Sequence, residues 1–372
     1  LTASLWCFCG TTDATRVEES RIHFYQTGTF TVGNRLLDEK LKTLQSSTKR
    51  FNSLESGHRA CQGCGEALGA RYALDTAMEE TDGRIAVTNA TGCLEVFSTP
   101  YPESAWRMPW LHSLFGNAAA VATGMAAAYR VRAKKDGKPP VRVIAQGGDG
   151  GTTDIGMGCL SGMFDRNDDV LYICYDNEAY MNTGVQRSSA TPPTARTATT
   201  MPQPGYEGNN FGQGKSVPLI AMAHGIPYVA TATVADLHDL ERKVRKAMSM
   251  HGARYIQILV PCPLGWGFAS DKTVEVARLA AETGIFPVFE AENGEITGSY
   301  KIRRPTPVEA YLKLQKRFAH LLGKKGDPET VARLQRMANR NIEKFGLTEE
   351  AEEHPEGLFR SLVSPKGDAE SV

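Results

Sequence analysis

The stretch Val143–Gly150 reads Val-Ile-Ala-Gln-Gly-Gly-Asp-Gly, a short apolar run that breaks into glycines around one carboxylate. This pattern predicts a buried strand that turns directly into a helix, which we expect from about Thr153. A second strand, predicted at Val170–Tyr175, ends in Asp-Asn-Glu, and Asn177 follows Asp149 by 28 residues. Because a strand–helix–strand unit of this size returns the chain to a neighbouring parallel strand, the two polar turns should lie side by side.

The same alternation of strand and helix patterns extends over the central part of the chain. We predict strands at Arg84–Asn89, Val141–Gln146, Val170–Tyr175, Tyr228–Thr233 and Tyr255–Val260. We predict helices at Gly65–Glu80, Gly116–Arg132, Thr153–Arg166 and Val234–His251. The pattern indicates an α/β fold with an open, mostly parallel sheet and helices on both faces.

Three regions are predicted along the chain. Residues 1–56 should form an N-terminal arm, residues 57–300 the main domain, and residues 301–372 a helical C-terminal extension with an amphipathic helix at Pro307–Leu322. The polar loop Gln186–Lys215 is longer than a compact domain normally leaves without structure, so it is either functional or disordered.

Charge, hydropathy and cysteine content exclude several classes of protein. Lys plus Arg and Asp plus Glu each total 42, so no net field draws the chain to nucleic acid or to an anionic membrane. The apolar stretch Ala118–Tyr129 falls short of the roughly 20 residues that a membrane-spanning helix needs. Eight cysteines in 372 residues do not make a disulfide scaffold. We therefore expect a soluble, cytoplasmic protein whose cysteines serve metal or redox chemistry.

Asp149 and Asn177 suggest a metal–phosphate site. Mg²⁺ takes about six oxygen ligands and usually shares them between protein carboxylates or amides and ligand phosphates. Glycine allows the backbone to approach a phosphate, and the following helix start offers N–H donors and the positive end of its dipole. The alternative for Gly147–Gly151, taken alone, is a tight turn in which Asp149 caps the helix, which we weigh below the metal–phosphate interpretation.

The cysteines form a second constellation. Cys61 and Cys64 stand in a C-x-x-C loop, which suits either zinc or an iron–sulfur cluster. A structural zinc site usually brings a second close pair, whereas Cys93 and Cys262 stand singly, each after a predicted strand. Four thiolates at one sheet edge would suit a four-iron cluster. The alternative, a zinc-bound structural or nucleic-acid-binding protein, is disfavoured by the balanced charge.

Taken together, these motifs resemble the β subunit of pyruvate:ferredoxin oxidoreductase and its relatives that act on other 2-oxoacids. The resemblance rests on five segments in the family's order: His58–Glu66, Thr91–Cys93, Gly148–Gly150, Tyr175–Gly184 and Pro261–Pro263. It covers roughly residues 57–266, with a weaker match at residues 304–322.

The resemblance implies three cofactors and their ligands. One [4Fe-4S] cluster would be held by Cys61, Cys64, Cys93 and Cys262, and Mg²⁺ by Asp149, Asn177 and the carbonyl of Ala179. Thiamine diphosphate would be bound by Gly65, Glu66, Gly148, Asp149, Gly150, Asn177, Asn182 and Thr183. Glu66 and Asn182 are the candidate catalytic residues.

The implied reaction is oxidative decarboxylation of a 2-oxoacid to an acyl-coenzyme A and CO2, with one-electron transfer to the cluster. Residues 180–184 favour pyruvate, and aryl, branched-chain and dicarboxylic 2-oxoacids remain open. The family implies obligate partners: a pyrimidine-binding subunit that supplies the activating glutamate, a coenzyme A or γ-type subunit and a ferredoxin-like subunit, with ferredoxin or a similar external acceptor. A second alternative is a non-catalytic iron–sulfur electron-transfer subunit.

Other residues with reactive side chains are not assigned to the site. Cys159 and Cys174 are expected in the core, and Cys7 and Cys9 remain unassigned. Lone histidines near the motifs, His58 and His112, are more often structural than catalytic. In the long loop, Arg187 and Arg196 are either anion-binding groups or solvated charges.

Overall fold

A computed structural model describes residues 51–100, 103–303, 305–324 and 326–349. Most of the predicted arm, Cys7 and Cys9 within it, and the end of the predicted extension lie outside these residues. Residues 51–56 are described, and Leu54 is fully buried there in a bridge with Trp106. The last residues of the predicted arm therefore pack against the main domain.

The described chain alternates strands and helices, as the sequence predicts. The strands are β1 (Ile85–Ala90), β2 (Trp110–Ser113), β3 (Arg142–Gly148), β4 (Val170–Asp176), β5 (Tyr228–Thr233), β6 (Arg254–Leu259), β7 (Phe289–Glu292) and β8 (Glu295–Ser299). The α-helices are α1 (Gly65–Glu80), α2 (Cys93–Ser98), α3 (Ala118–Asp136), α4 (Met157–Asp165), α5 (Val217–Ala223), α6 (Leu237–Ser249), α7 (Pro263–Trp266), α8 (Thr273–Glu282), α9 (Val308–Lys313) and α10 (Pro328–Lys344). A π-helix (Gly150–Ile155) and 3₁₀-helices (Ser270–Lys272 and Lys316–Leu321) complete the set.

The strands form one sheet in the order β2-β1-β3-β4-β6-β5-β7-β8. The pairs from β2 to β5 are parallel, and β7 and β8 add an antiparallel edge. Alternate residues of β4 enter different cores: Leu171 and Ile173 pack with α1 and α6, while Val170 and Tyr172 pack with α3 and α4. Helices therefore cover both faces, and the predicted fold class is confirmed.

The structure adds the helices α2, α5, α7, α8 and α10 to the predicted ones, and it departs from the predicted elements at other places. The edge strands β2, β7 and β8 were not predicted, although Asn293 and Gly294 between β7 and β8 both have positive φ, as a two-residue hairpin turn requires. The helix predicted from Thr153 instead begins as the π-helix at Gly150. The helix predicted at Pro307–Leu322 is divided, because Gln315 is extended (φ −122°, ψ 122°) between α9 and the 3₁₀-helix. In the part of the chain that the structure describes, no helix has the length and apolarity needed to cross a membrane.

A buried ion pair joins the amino ends of β4 and β6. The side chain of Arg254 is completely buried, and its Nη1 lies 2.8 Å from Oδ1 of Asp169. Burial lowers the pKa of Arg254 to about 10, while the carboxylate of Asp169 acts in the opposite direction. This pair stands at the opposite end of the strands from the turns that follow β3 and β4.

Helix α1 begins against the segment that follows β6. The amide of Gly65 donates to the carbonyl of Pro261 at 3.3 Å. A Cβ at Gly65 would lie 2.8 Å from that oxygen and 2.9 Å from the nitrogen of Pro261. These are backbone atoms that cannot rotate away, so the contact requires glycine.

We predict that Gly65→Ala lowers the free energy of unfolding by about 1–3 kcal/mol, because the added methyl group forces the two backbones apart. The matched control is Gly124→Ala on the exposed face of α3, where a Cβ would meet nothing within 4 Å. There alanine should raise the free energy of unfolding by about 0.5–1 kcal/mol. Urea unfolding followed by circular dichroism compares the two, and equal effects would contradict the close-approach argument.

Candidate functional site

The turns after β3 and β4 lie side by side, as the sequence predicts. Gly147 pairs with Cys174 and Gly148 with Tyr175, so the chain leaves both strands at the same level. A cavity of about 190 Å³ opens there. Its lining consists of Thr91, Gly92, Cys93, Val96, Phe115, Gly148, Asp149, Gly150, Gly151, Asn177, Ala179, Tyr180, Met181, Asn182 and Thr183. The predicted magnesium ligands therefore wall one cavity.

Asp149 is a buried carboxylate in an unfavourable electrostatic setting. It is 1% exposed, and the hydroxyl of Ser188 donates to its Oδ2. Burial raises the pKa of Asp149 well above its ordinary value, and the carboxylate of Asp176 adds to the shift. A cation beside Asp149 would relieve this cost, because it favours the charged carboxylate. The environment therefore fits a metal ligand.

The glycines of this turn are needed for two reasons. A Cβ at Gly150 would overlap the ring of Tyr180, whereas a Cβ at Gly148 would meet only the carbonyl of Tyr175 at 3.9 Å. Gly148 therefore leaves its backbone atoms uncovered on the side of the cavity. Gly150 leaves room for the ring of Tyr180 to pack over the turn. Tyr180 in turn donates its hydroxyl to the carbonyl of Gly150 at 3.0 Å. The turn is compact and presents backbone to the cavity.

Glu66 and Asn177 connect this cavity to the cysteines. The amide of Asn177 donates to Oε2 of Glu66 at 3.2 Å, and its nitrogen lies 3.8 Å from the sulfur of Cys93. Burial raises the pKa of Glu66 to about 7. Its second oxygen, Oε1, is buried and has no hydrogen-bond partner within the described residues. An unpaired buried acceptor of this kind fits a site that receives a ligand.

Three of the predicted cluster ligands stand at helix starts on this edge. Cys64 caps α1, Cys93 is the first residue of α2, and Cys262 caps α7. Burial raises the pKa of the Cys64 thiol to about 12, with a further contribution from the carboxylate of Glu66. Burial, Glu66 and the neighbouring Cys262 and Cys64 also raise the pKa of Cys93. The three thiols are therefore near enough to influence one another electrostatically.

Cys61 is exposed and lies in the same C-x-x-C loop as Cys64. Burial raises the pKa of the Cys262 thiol, and Cys61 contributes to that rise. All four cysteines are free thiols. Across residues 51–349 as far as they are described, no group of three or more His, Cys, Asp or Glu side chains closes around a single metal ion. The structure thus brings the predicted ligands near enough to one another to interact electrostatically.

The remaining predicted residues occupy different positions. Asn182 and Thr183 are exposed at the cavity wall, and the amide of Asn182 donates to the sulfur of Cys93 at 3.1 Å. Gly65 and Glu66 are not part of the cavity lining. Gly65 instead packs on Pro261, and Glu66 lies beside Asn177.

Several site residues were not predicted from the sequence. Ser188 contacts Asp149, and Thr191 donates to the carbonyl of Glu178 at 2.6 Å. Both belong to the loop Gln186–Lys215, whose length was the signal for a function. Arg317 forms an ion pair with Glu178 from 139 residues further along the chain (317 minus 178), and no local pattern indicates that contact.

Comparison with known proteins agrees with this geometry. The family model described as "Thiamine pyrophosphate enzyme, C-terminal TPP binding domain" matches residues 90–258. Pyruvate synthase subunit PorB of Methanosarcina barkeri is 49% identical over 302 residues, which cover 81% of this chain and 99% of that protein. The chain belongs to the family of 2-oxoacid oxidoreductase β subunits.

Other members match at comparable identity. PorB of Methanocaldococcus jannaschii is 50% identical, over 78% of this chain and 95% of its own length. Ketoisovalerate oxidoreductase subunit VorB of Pyrococcus abyssi is 45% identical, over 72% of this chain and 85% of its own length. The predicted family and the thiamine-diphosphate-dependent oxidoreductase activity are confirmed, whereas the cluster, Mg²⁺ and the individual site residues stay predictions.

Proposed function

We propose that this β subunit takes part in the oxidative decarboxylation of pyruvate to acetyl-coenzyme A and CO2, with electrons passing singly to a [4Fe-4S] cluster and then to ferredoxin or a similar acceptor. The observation that carries the proposal is that Asp149, Asn177 and Cys93 line one cavity, so a diphosphate site and a cluster ligand assigned to these residues would be neighbours. Pyruvate is favoured by relatives named pyruvate synthase at 49% and 50% identity. A branched-chain 2-oxoacid is the second candidate, because the VorB relative is 45% identical.

Mg²⁺ is assigned to Asp149, Asn177 and the carbonyl of Ala179. The raised pKa of Asp149 supports this assignment, since a divalent cation would stabilise the charged carboxylate. The bare backbone at Gly148 would lie along the diphosphate, and Gly150, which also lines the cavity, is assigned to the same site. Thiamine diphosphate, when bound, supplies the carbanion-stabilising chemistry.

Glu66 and Asn182 are the residues of this chain assigned to positions near the reacting groups. With a pKa of about 7, Glu66 can hold or release a proton on its unpartnered Oε1 near neutral pH. Asn182 orients its amide toward the sulfur of Cys93 at the rim of the cavity. Gly65 acts indirectly, because its contact with Pro261 fixes the start of the helix that carries Glu66.

The cluster is assigned to Cys61, Cys64, Cys93 and Cys262. The pKa values of the Cys64 and Cys93 thiols are raised. A metal that binds these residues as thiolates must therefore displace a proton from each thiol. A cluster is favoured over zinc because Cys93 and Cys262 stand singly in the sequence, whereas a structural zinc site usually brings a second close pair. The free thiols also agree with the predicted cytoplasmic location, which stays a prediction.

Partner subunits are supported by apolar side chains around the cavity. Val96 lines the cavity and is 50% exposed, and Leu114, the sequence neighbour of the lining residue Phe115, is 73% exposed. Ile155, at the end of the π-helix that begins at the cavity-lining Gly150, is 59% exposed. Exposed apolar side chains of this kind favour a protein contact. We assign it to the pyrimidine-binding subunit that brings the activating glutamate, with coenzyme A/γ-type and ferredoxin-like subunits completing the complex.

We predict that Asp149→Asn in the complex weakens Mg²⁺-dependent thiamine diphosphate binding at least ~100-fold, because the charged ligand of the metal is lost. Isothermal titration calorimetry measures the affinity. Asp165→Asn, an exposed carboxylate on α4, is the matched control and should bind as the wild type does. Unchanged binding by the Asp149 variant would remove this residue from the metal site.

We predict that Cys93→Ser and Cys262→Ser each lower the content of the anaerobically purified complex by about four irons and four sulfides. Cys159→Ser, a partly buried cysteine of α4, should leave both contents unchanged. Elemental analysis and the ultraviolet–visible spectrum measure the loss. Zinc in this chain without iron would overturn the cluster assignment.

The isolated chain is predicted to have no turnover with pyruvate and coenzyme A, because the activating glutamate and much of the substrate pocket belong to partners. Mixing with the partner subunits should restore reduction of an electron acceptor. Turnover by the purified chain alone would refute the requirement for partners.

A further inference from the structure

The loop after β4 carries the two proposed magnesium ligands on either side of a strained residue. Glu178 lies between Asn177 and Ala179 and has φ +64°, a conformation that residues other than glycine rarely adopt. Such a conformation persists only when surrounding contacts hold it. The position of both ligands therefore depends on what holds Glu178.

The main chain of this loop is fixed on three sides. The amide of Glu178 donates to Oδ1 of Asp176 at 3.0 Å, and its carbonyl accepts from the hydroxyl of Thr191 at 2.6 Å. The carbonyl of Asn177 accepts from the indole nitrogen of Trp266 at 2.8 Å. Each peptide group next to Glu178 thus has a defined partner.

The side chain of Glu178 is held by a single cation. Its Oε2 lies 2.6 Å from Nη2 of Arg317, and both side chains are buried, at 7% and 4% exposure. Arg317 is itself oriented by Oε1 of Gln315 at 2.8 Å and by the hydroxyl of Tyr311 at 3.0 Å. Two neighbouring residues of the C-terminal region therefore fix the orientation of the guanidinium group that contacts Glu178.

Arg317 also contacts Trp266, whose indole nitrogen donates to the carbonyl of Asn177. Its guanidinium carbon lies 3.6 Å from the ring centroid of Trp266, in a cation–π contact. One guanidinium therefore touches both the carboxylate of Glu178 and the indole that holds the carbonyl of Asn177. Within the described residues, no other side chain makes an ion pair with Glu178.

We infer that Arg317 is a positioning residue for the magnesium–diphosphate site, acting through Glu178 and Trp266 without contacting the cofactor. The inference rests on the proposed assignment of Mg²⁺ to Asn177 and Ala179. Without Arg317 the buried carboxylate of Glu178 loses its counter-charge, and its backbone leaves the positive-φ conformation. The carbonyl of Ala179 and the amide of Asn177 then point away from a common metal.

The test uses the complete complex, stripped of divalent ions and titrated with Mg²⁺ at a fixed, saturating concentration of thiamine diphosphate. Retention of the cofactor after rapid gel filtration gives the half-saturating Mg²⁺ concentration without measuring activity. Arg317→Gln should raise that concentration about tenfold, the lower end of what loss of an outer-shell partner costs in metal affinity. Arg317→Lys keeps the charge but loses the planar contacts, so it should give an intermediate value.

Arg254→Gln is the matched control, since Arg254 is an equally buried arginine paired with Asp169 at the far end of the strands. It should lower the melting temperature without changing the Mg²⁺ requirement. The inference is overturned if Arg317→Gln or, where that variant does not fold, Arg317→Lys shows the wild-type Mg²⁺ requirement. Absence of Mg²⁺-dependent cofactor retention in the wild type would instead defeat the proposed function, so the two failures are distinguishable.

Discussion

The backbone contact between Gly65 and Pro261 is the constraint on which the arrangement of the site depends. It sets the start of α1 against the segment after β6, and so brings the loop of Cys64 to the loop of Cys262. The neighbouring Gly63 makes a similar approach, because a Cβ there would overlap the backbone carbonyl group of Ser270. No side chain fits between these backbones, so the two cysteine loops keep a fixed spacing.

Buried negative charge at the carboxyl end of the sheet is the second organising feature. Asp149, Asp176, Glu178 and Glu66 are all nearly inaccessible to solvent. Burial and the neighbouring Glu178 raise the pKa of Asp176 to about 8, while Arg317 opposes that rise. Such a concentration of carboxylates costs stability, as expected where a fold is arranged for function. Bound cations would offset the cost, so the cofactor-loaded protein should be the more stable form.

The sequence predicts the parts of this molecule that depend on local pattern. Strands such as Val170–Asp176 are continuous apolar runs buried on both faces, and the parallel order then places Asp149 beside Asn177. Short edge strands are hard to predict because they show little apolar pattern. Strand β2, for example, has no buried residue. The hairpin between β7 and β8 does carry a local turn signal, the pair Asn293-Gly294.

Long-range contacts are the part that sequence reasoning does not reach. Ser188 contacts Asp149 because the long loop packs on the site, and Arg317 contacts Glu178 because the C-terminal region packs there. The spacing of these residues in the sequence does not indicate either contact. The break in the helix predicted at Pro307–Leu322 coincides with local side-chain hydrogen bonding. The buried amide of Gln315 donates to the carbonyl of Tyr311, four residues earlier, and its oxygen accepts from Arg317, two residues later. A glutamine side chain that bonds its own neighbours in this way is not indicated by the apolar pattern that predicted the helix.

The placement of the cysteines at three helix starts also has a consequence for biogenesis. Cys61 and Cys262 are 201 residues apart (262 minus 61), and most of the parallel sheet lies between them in the chain. The four thiols converge only when β1 and β6 have taken their places and the segment after β6 has reached α1. A nascent or partly folded chain therefore presents one C-x-x-C pair and two solitary thiols, and delivery of the proposed cluster would have to follow folding of the sheet.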